Sequence, residues 1–181
     1  MVRRAVFLDR DGVINKSIIR DGKPYPPASV RETAIVEDAL PSLLRLKQEG
    51  FLLIVVTNQP DVSRGSTARE SVEDIHRFLS AHLPLDDFAV CYHDDQDACT
   101  CRKPLPGLLL AAAATHGVEL SSSYLVGDRW RDIDSGAAAG CRTILIDYGY
   151  NERSSTYTPD ARVDSLSQAV DWILRQQTEP F

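Results

Sequence analysis

Two aspartates stand one residue apart in Phe7-Leu8-Asp9-Arg10-Asp11-Gly12, directly after a short apolar run that starts at Ala5. Carboxylates held that close repel one another unless a cation neutralises them, and hard oxygen donors favour Mg²⁺. A third carboxylate, Asp128, follows a second apolar run, Tyr124-Leu125-Val126-Gly127. If both runs are parallel strands, their C-terminal ends share one sheet edge, and Asp9, Asp11 and Asp128 converge there. Asp and Gly also favour turns, so Asp9-x-Asp11-Gly12 taken alone reads equally well as a turn. Thr57-Asn58, at the end of a further apolar run, and Arg102-Lys103-Pro104 argue against coincidence.

The cysteines suggest a second kind of chemistry. Cys91-x-His93 and Cys99-x-Cys101 supply three thiolates and one imidazole, a set suited to tetrahedral Zn²⁺. Four protein ligands leave no open position, so such a zinc is structural. The first residues, Met1-Val2-Arg3-Arg4 and a very short apolar run, fall short of a secretory signal, and a cytoplasmic location is expected. Clustered thiols in that compartment mean metal more often than disulfide. Cys141 stands alone and reads as a small buried residue beside a strand.

The 181 residues and 43% apolar content fit one domain spanning 1–181 with a sizeable core. No apolar run approaches the ~20 residues that cross a bilayer. A net charge of −6 argues against nucleic-acid binding by bulk electrostatics. A small anionic substrate remains compatible, because a few local cations can hold it. No glycine-rich phosphate loop indicates a nucleotide cofactor.

Apolar runs alternate with helix-like segments, which predicts an α/β fold with a parallel sheet flanked by helices. Strands are expected at 5–8, 51–56, 88–91, 124–126 and 143–146. Helices are expected at 38–49, 106–116 and 132–139, with Gly50, Gly117 and Gly140 as stops. Thr67-Ala68-Arg69-Glu70 reads as a capping box opening a helix whose apolar face is Val72, Ile75, Phe78 and Leu79. Ser165 or Ser167 is expected to cap a last helix carrying Val170, Ile173 and Leu174. Gly136-x-x-x-Gly140 suggests close packing followed by a C-cap. Residues 16–36 and 93–106 read as loops. His76 and His116 are expected to be surface or packing residues, and Asp94, Asp95 and Asp97 to face solvent.

Taken in order, Asp9-x-Asp11-Gly12, Thr57-Asn58, Lys103-Pro104 and Gly127-Asp128-x-x-x-Asp132 resemble the four motifs of the haloacid dehalogenase (HAD) superfamily of phosphotransferases. The longer strings through Asn15, Gln59, Arg64-Gly65 and Cys101-Arg102-Lys103-Pro104-x-Pro106-Gly107 resemble a narrower branch. That branch holds the D-glycero-D-manno-heptose 1,7-bisphosphate phosphatases and the related histidinol-phosphate phosphatases. The resemblance implies a Rossmann-like fold and in-line phosphoryl transfer through an aspartyl-phosphate. Asp9 would be the nucleophile and Asp11 the general acid and base. Mg²⁺ would be held by the Asp9 and Asp128 carboxylates and the Asp11 carbonyl. Thr57 and Lys103 would receive the transferring oxygens, while Asn58, Arg64, Arg102 and Arg129 would bind the substrate. Asp132 would orient Lys103, touch a metal-bound water or cap a helix. The cysteine–histidine cluster occurs in the same branch, where it would pin the loop carrying Arg102 and Lys103.

Pro60-Asp61 departs from the branch pattern, since Pro60 offers no backbone N–H to a substrate. The absence of a large insertion implies no bulky cap domain, with loops 16–27, 59–66 and 91–104 framing the site. The expected substrate is a heptose 1,7-bisphosphate cleaved at its primary 7-phosphate, by a monomer. Arg64, Arg102 and Lys23 are the expected grip on the second phosphate. Histidinol phosphate is the alternative, favoured by the five residues between His93 and Cys99 and by an acidic lining from Asp61, Asp94 and Asp95. A zinc-stabilised binding module without catalysis is the reading from another class, and the intact set Asp9, Asp11, Thr57, Lys103 and Asp128 argues against it.

Overall fold

The computed structural model describes residues 2–178. Six parallel strands form one sheet: β1 (Ala5–Leu8), β4 (Leu52–Asn58), β5 (Asp87–Cys91), β6 (Tyr124–Gly127), β7 (Arg142–Ile146) and β8 (Ala161–Val163). A separate antiparallel hairpin joins β2 (Ile18–Arg20) to β3 (Lys23–Tyr25). The helices are α1 (Ala39–Gln48), α2 (Arg69–His82), α3 (Gly107–His116), α4 (Trp130–Ala139) and α5 (Leu166–Thr178). No helix among the described residues is long and apolar enough to cross a membrane.

The sheet order is β5-β4-β1-β6-β7-β8. From β1 the chain winds outward through β4 and β5, then returns to β6 on the other side. That reversal opens a crevice at the carboxyl end of β1. Both faces of β1 are buried because side chains alternate along a strand. Val6 and Leu8 pack with α1, α2 and α5 residues such as Leu43, Ile75 and Ile173. Ala5 and Phe7 pack on the other side with Leu109, Ala112 and Ala113 of α3. A strand covered on both faces must be apolar throughout, which is why it was legible in the sequence.

Several local expectations change. The capping box at 67–70 does not form, because Ala68 takes the N-cap of α2 and leaves the Thr67 hydroxyl one residue too early. The α4 helix starts at Trp130, because the Asp132 carboxylate accepts from the Arg129 backbone N–H at 3.1 Å and caps an earlier turn. The segment read as a loop at 16–36 contains the hairpin. Its Asp21-Gly22 turn has φ values of 50° and 72°, the two-residue geometry that suits strand twist. Ser165 does cap α5, accepting from the Gln168 N–H at 3.2 Å. Cys141 is buried, and that burial pushes its pKa up to about 12.

Gly136 lets α4 rest directly on the sheet. A Cβ there would sit 2.6 Å from Thr143 Cγ2 and 2.9 Å from Leu125 Cδ2. Gly136→Ala is therefore expected to destabilise the protein by about 1–3 kcal/mol through overpacking, read as a lower urea midpoint. An unchanged midpoint would mean that α4 can lift from β6 and β7 at no cost.

Candidate active site

Three central strands end at the crevice and each delivers a functional side chain. Asp9 follows β1, Thr57 and Asn58 close β4, and Asp128 follows β6. The Asp9 N–H donates to Val126 O at 2.9 Å, which extends the β1–β6 ladder up to the carboxylate. Lys103 arrives from the loop after β5 and is buried, 2% exposed. Its ammonium donates to Asp9 Oδ1 at 2.9 Å, Val56 O at 2.8 Å and Asp132 Oδ1 at 2.5 Å. All three donors are satisfied, as a buried charge requires. Burial pulls the Lys103 pKa down, but Asp132 and Asp9 outweigh it and raise the value. Asp132 thus orients Lys103 with one oxygen and caps α4 with the other, two of its three expected roles.

Asp9 has the opposite problem. Burial, then the Asp132 and Asp11 charges, push its pKa up to about 7 against the pull of Lys103. Its Oδ1 accepts from Lys103 and from the Arg10 N–H at 2.8 Å, whereas Oδ2 accepts no hydrogen bond among the described residues.

Asp11 is held by residues to which the sequence assigned no role, although Arg10, Asn15 and Gln59 stand in the strings that carry the resemblance. Arg10 is fully buried and grips both Asp11 oxygens, its Nη2 lying 3.0 and 3.1 Å away. Asn15 Nδ2 donates to Oδ1 and Gln59 Nε2 to Oδ2, each at 2.9 Å. Gln59 Nε2 also donates to the Thr57 hydroxyl at 3.0 Å, linking two strand ends. Behind Arg10 stands His76, whose Nε2 accepts from Arg10 Nη1 at 3.2 Å. A guanidinium only donates, so the imidazole is neutral with its proton on Nδ1. His76 stacks on Phe88 and is 8% exposed, a packing residue as expected but buried. His116, half-buried, instead pairs with Asp87. Arg10 stands inside the first motif string with no role assigned to it, a basic residue between two aspartates being the available signal, and no motif marked His76.

Asp128 carries the test for a metal. Both its oxygens are buried without a hydrogen bond of ordinary geometry, although the Tyr150 hydroxyl lies close enough to feel its charge. Burial, Asp9 and Asp132 raise its pKa well above the carboxylate range. Gly12, at φ +87°, gives it room, since a Cβ there would meet Asp128 Oδ2 at 1.9 Å. Four carboxylates (Asp9, Asp11, Asp128, Asp132) face two buried cations, Arg10 and Lys103. The deficit of two charges and the all-oxygen donor set fit a hard divalent cation. Asp9, Asp128 and Asp132 each offer an oxygen within 4.8 Å of the others.

The cysteine–histidine cluster also closes. Cys91 Sγ lies 3.1 Å from Cys101 Sγ and 3.8 Å from Cys99 Sγ, and 3.6 Å from His93 Nδ1. A tetrahedron with ~2.3 Å metal–sulfur bonds requires edges of about 3.8 Å, so a small expansion would admit zinc.

The cleft above these carboxylates has a volume of about 570 Å³ and is framed by the β2–β3 hairpin, residues 57–67 and the loop of Lys103. Arg129, which the resemblance implied as a substrate residue, completes it together with Arg131 and Glu152, which the sequence did not foresee. The arginines are already partnered. Arg64 pairs with Asp94 and Asp61, Arg102 with Asp95, Arg129 with Glu152, and Arg131 with Asp95. Asp94, Asp95 and Asp97 therefore do not merely face solvent; Asp97 accepts from Ser63 Oγ at 2.7 Å. Asn58 is tied down too, exchanging hydrogen bonds of 3.0 and 3.1 Å with the Lys103 backbone.

A switch-point crevice with a buried lysine among carboxylates is a place where a phosphate group can be bound. Residues 100–169 match the family described as HAD-hydrolase-like. The chain is 31% identical over 183 aligned residues to the D-glycero-beta-D-manno-heptose-1,7-bisphosphate 7-phosphatase of Escherichia coli K12, covering 94% of this chain and 87% of that protein. Identity to the D-glycero-D-manno-heptose-1,7-bisphosphate 7-phosphatase of Chlorobaculum tepidum is 34% over 198 residues, covering 97% and 96%. The crystal structure of D,D-heptose 1,7-bisphosphate phosphatase from B. bronchiseptica, complexed with magnesium and phosphate, superposes with a TM-score of 0.77 at 27% identity, covering 97% and 99%. The chain belongs to the HAD superfamily, in the family of these phosphatases, and is itself a phosphatase.

The neutral His76 has a measurable consequence. Burial, then the Arg10 charge, lower its pKa from 6.5 to about 4. A base with a depressed folded value stabilises the fold above pH 6.5, and that stability is lost as pH falls toward 4. Between pH 7.5 and 5 the loss from this residue is expected to be about 2 kcal/mol. Urea denaturation of wild type and His76→Gln at both pH values isolates it. An equal pH dependence in the two proteins would refute a neutral buried imidazole.

Proposed function

We propose that the protein is a Mg²⁺-dependent heptose 1,7-bisphosphate 7-phosphatase working as one domain. The observation that carries the reading is the Asp9 carboxylate, buried at the switch point with Oδ1 fixed by Lys103 and Arg10 and Oδ2 without a hydrogen bond among the described residues. The names of the relatives supply the substrate class.

Asp9 Oδ2 attacks phosphorus, forming an aspartyl-phosphate and breaking the bond to the sugar oxygen. Asp11, which meets only donors here, must first take up a proton from solvent; aimed by Arg10, Asn15 and Gln59, it gives that proton to the departing alkoxide. It then takes a proton from water, which attacks the aspartyl-phosphate and releases inorganic phosphate. Lys103 and the Thr57 hydroxyl hold the transferring oxygens as charge shifts onto them. Asp9, Asp128 and the Asp11 carbonyl would hold Mg²⁺, which when bound screens the repulsion between carboxylates and phosphate. Cys91, His93, Cys99 and Cys101 would hold a structural Zn²⁺ that fixes the approach of Lys103. Arg64, Arg102 and Arg129, in their carboxylate-paired lattice, offer donors to sugar hydroxyls. The acidic lining that would suit an ammonium is absorbed by those pairs, which favours the sugar over histidinol phosphate.

Asp9→Asn is expected to lower turnover by about 10⁴-fold or more while the protein stays folded. Rapid-quench peptide mapping of wild type should place the phosphoryl group on Asp9, and a label on any other residue would sink the assignment. Cys99→Ser or Cys101→Ser should lower bound zinc, speed hydrogen exchange across residues 91–104 and reduce activity. Metal analysis of protein purified without chelator decides this, and an absence of zinc in wild type would end the zinc reading.

A further inference from the structure

The β2–β3 hairpin places a pair of cations where none of the described residues neutralises them. Arg20 and Lys23 are directly opposite in the antiparallel register, on either side of the Asp21-Gly22 turn. Like charges so placed destabilise a hairpin, and the two-residue turn fixes the register so that the pair cannot slip apart. Both side chains are exposed and both line the cleft that has Asp9 and Asp11 at its floor. Among the described residues neither has a carboxylate within salt-bridge distance. The Arg20 guanidinium instead lies over the Tyr25 ring, 5.6 Å from its centroid. Every arginine of the other walls is already paired with Asp61, Asp94, Asp95 or Glu152. In a chain of net charge −6, two adjacent unpaired cations at an active-site mouth are matched by an anion brought from outside.

We propose that Arg20 and Lys23 form a clamp for the second phosphate of a bisphosphorylated sugar, the one that is not hydrolysed. This rests on the bisphosphate reading above. It keeps Lys23 of the expected grip, adds Arg20, and drops Arg64 and Arg102, which would have to break existing ion pairs, whereas the hairpin cations have none to break among the described residues. Pro24 stiffens the backbone of the strand that carries Lys23 and Pro26 follows it directly, so binding has less backbone left to order. The clamp is a specificity device, since it touches an anion remote from the reacting phosphorus.

The test is the ratio of kcat/KM for heptose 1,7-bisphosphate to that for heptose 7-phosphate, in wild type, Arg20→Ala, Lys23→Ala and the double variant. Charge-assisted contacts predict a ratio about ten- to a hundredfold lower in the double variant, carried mainly by the KM of the bisphosphate. Lys23→Arg should restore most of it, and raised salt should erode the wild-type ratio more than the variant's. If the double variant keeps the wild-type ratio while Arg102→Ala collapses it, the clamp is refuted and the zinc-loop arginine takes its place. If wild type shows no preference for the bisphosphate, the substrate reading itself fails, and the clamp with it.

Discussion

The ammonium of Lys103 is the contact on which the arrangement of the site depends. Burying a lysine is expensive, and this one is compensated by two carboxylates and one carbonyl that come from three separate parts of the chain. Val56 O belongs to β4, Asp9 follows β1, and Asp132 lies in the first turn of α4. Removing any of them would leave a charge buried without its partner. The exchange between Asn58 and the Lys103 backbone and the clustering of Cys91, His93, Cys99 and Cys101 restrain the same loop from two sides. The loop is long and irregular, yet its key nitrogen has one place to be.

Around that nitrogen the charges divide into satisfied and unsatisfied groups. Asp11 and Asp132 each have a buried cation, and Asp9 shares one. Asp128 has none, and Gly12 keeps the space beside it open. The negative surplus is confined to one corner of the crevice, where a divalent cation fits by charge and by donor type. The cleft walls follow the opposite rule. Their arginines are matched by carboxylates before any substrate arrives, and only the hairpin is left with cations in excess among the described residues.

The parallel sheet explains why such distant residues meet. Each strand ends at the same edge, so the residue after an apolar run is delivered to that edge whatever separates the runs in sequence. The reversal of winding at β1 parts the loops on either side and leaves room for a ligand there. Side-chain alternation lets the same short strands support two cores, so the edge is held by both.

The sequence by itself determined five of the six strands of the sheet, most helix ends and the convergence of Asp9, Thr57, Lys103 and Asp128, but not the three-residue strands β2, β3 and β8. Those features follow from local rules: apolar runs, glycine stops and a fixed sheet edge. It also gathered the Cys–His cluster, because ligands close in sequence need little folding to meet. Tertiary structure alone decided the roles of Arg10, Gln59 and His76, since nothing in their spacing says which side chain turns inward behind Asp11. It decided the dual role of Asp132, whose two oxygens serve a helix end and a loop that only packing brings together. It also decided which cations are free. Arg64 and Arg102 stand near Lys103 in sequence or motif and looked available, but their partners Asp94 and Asp95 are set by the fold of the 91–104 loop. Arg20 and Lys23 sat in a stretch without strong periodicity, where a six-residue hairpin core is too short to show. Ion pairing depends on distances across space, and a sequence pattern records only distances along the chain.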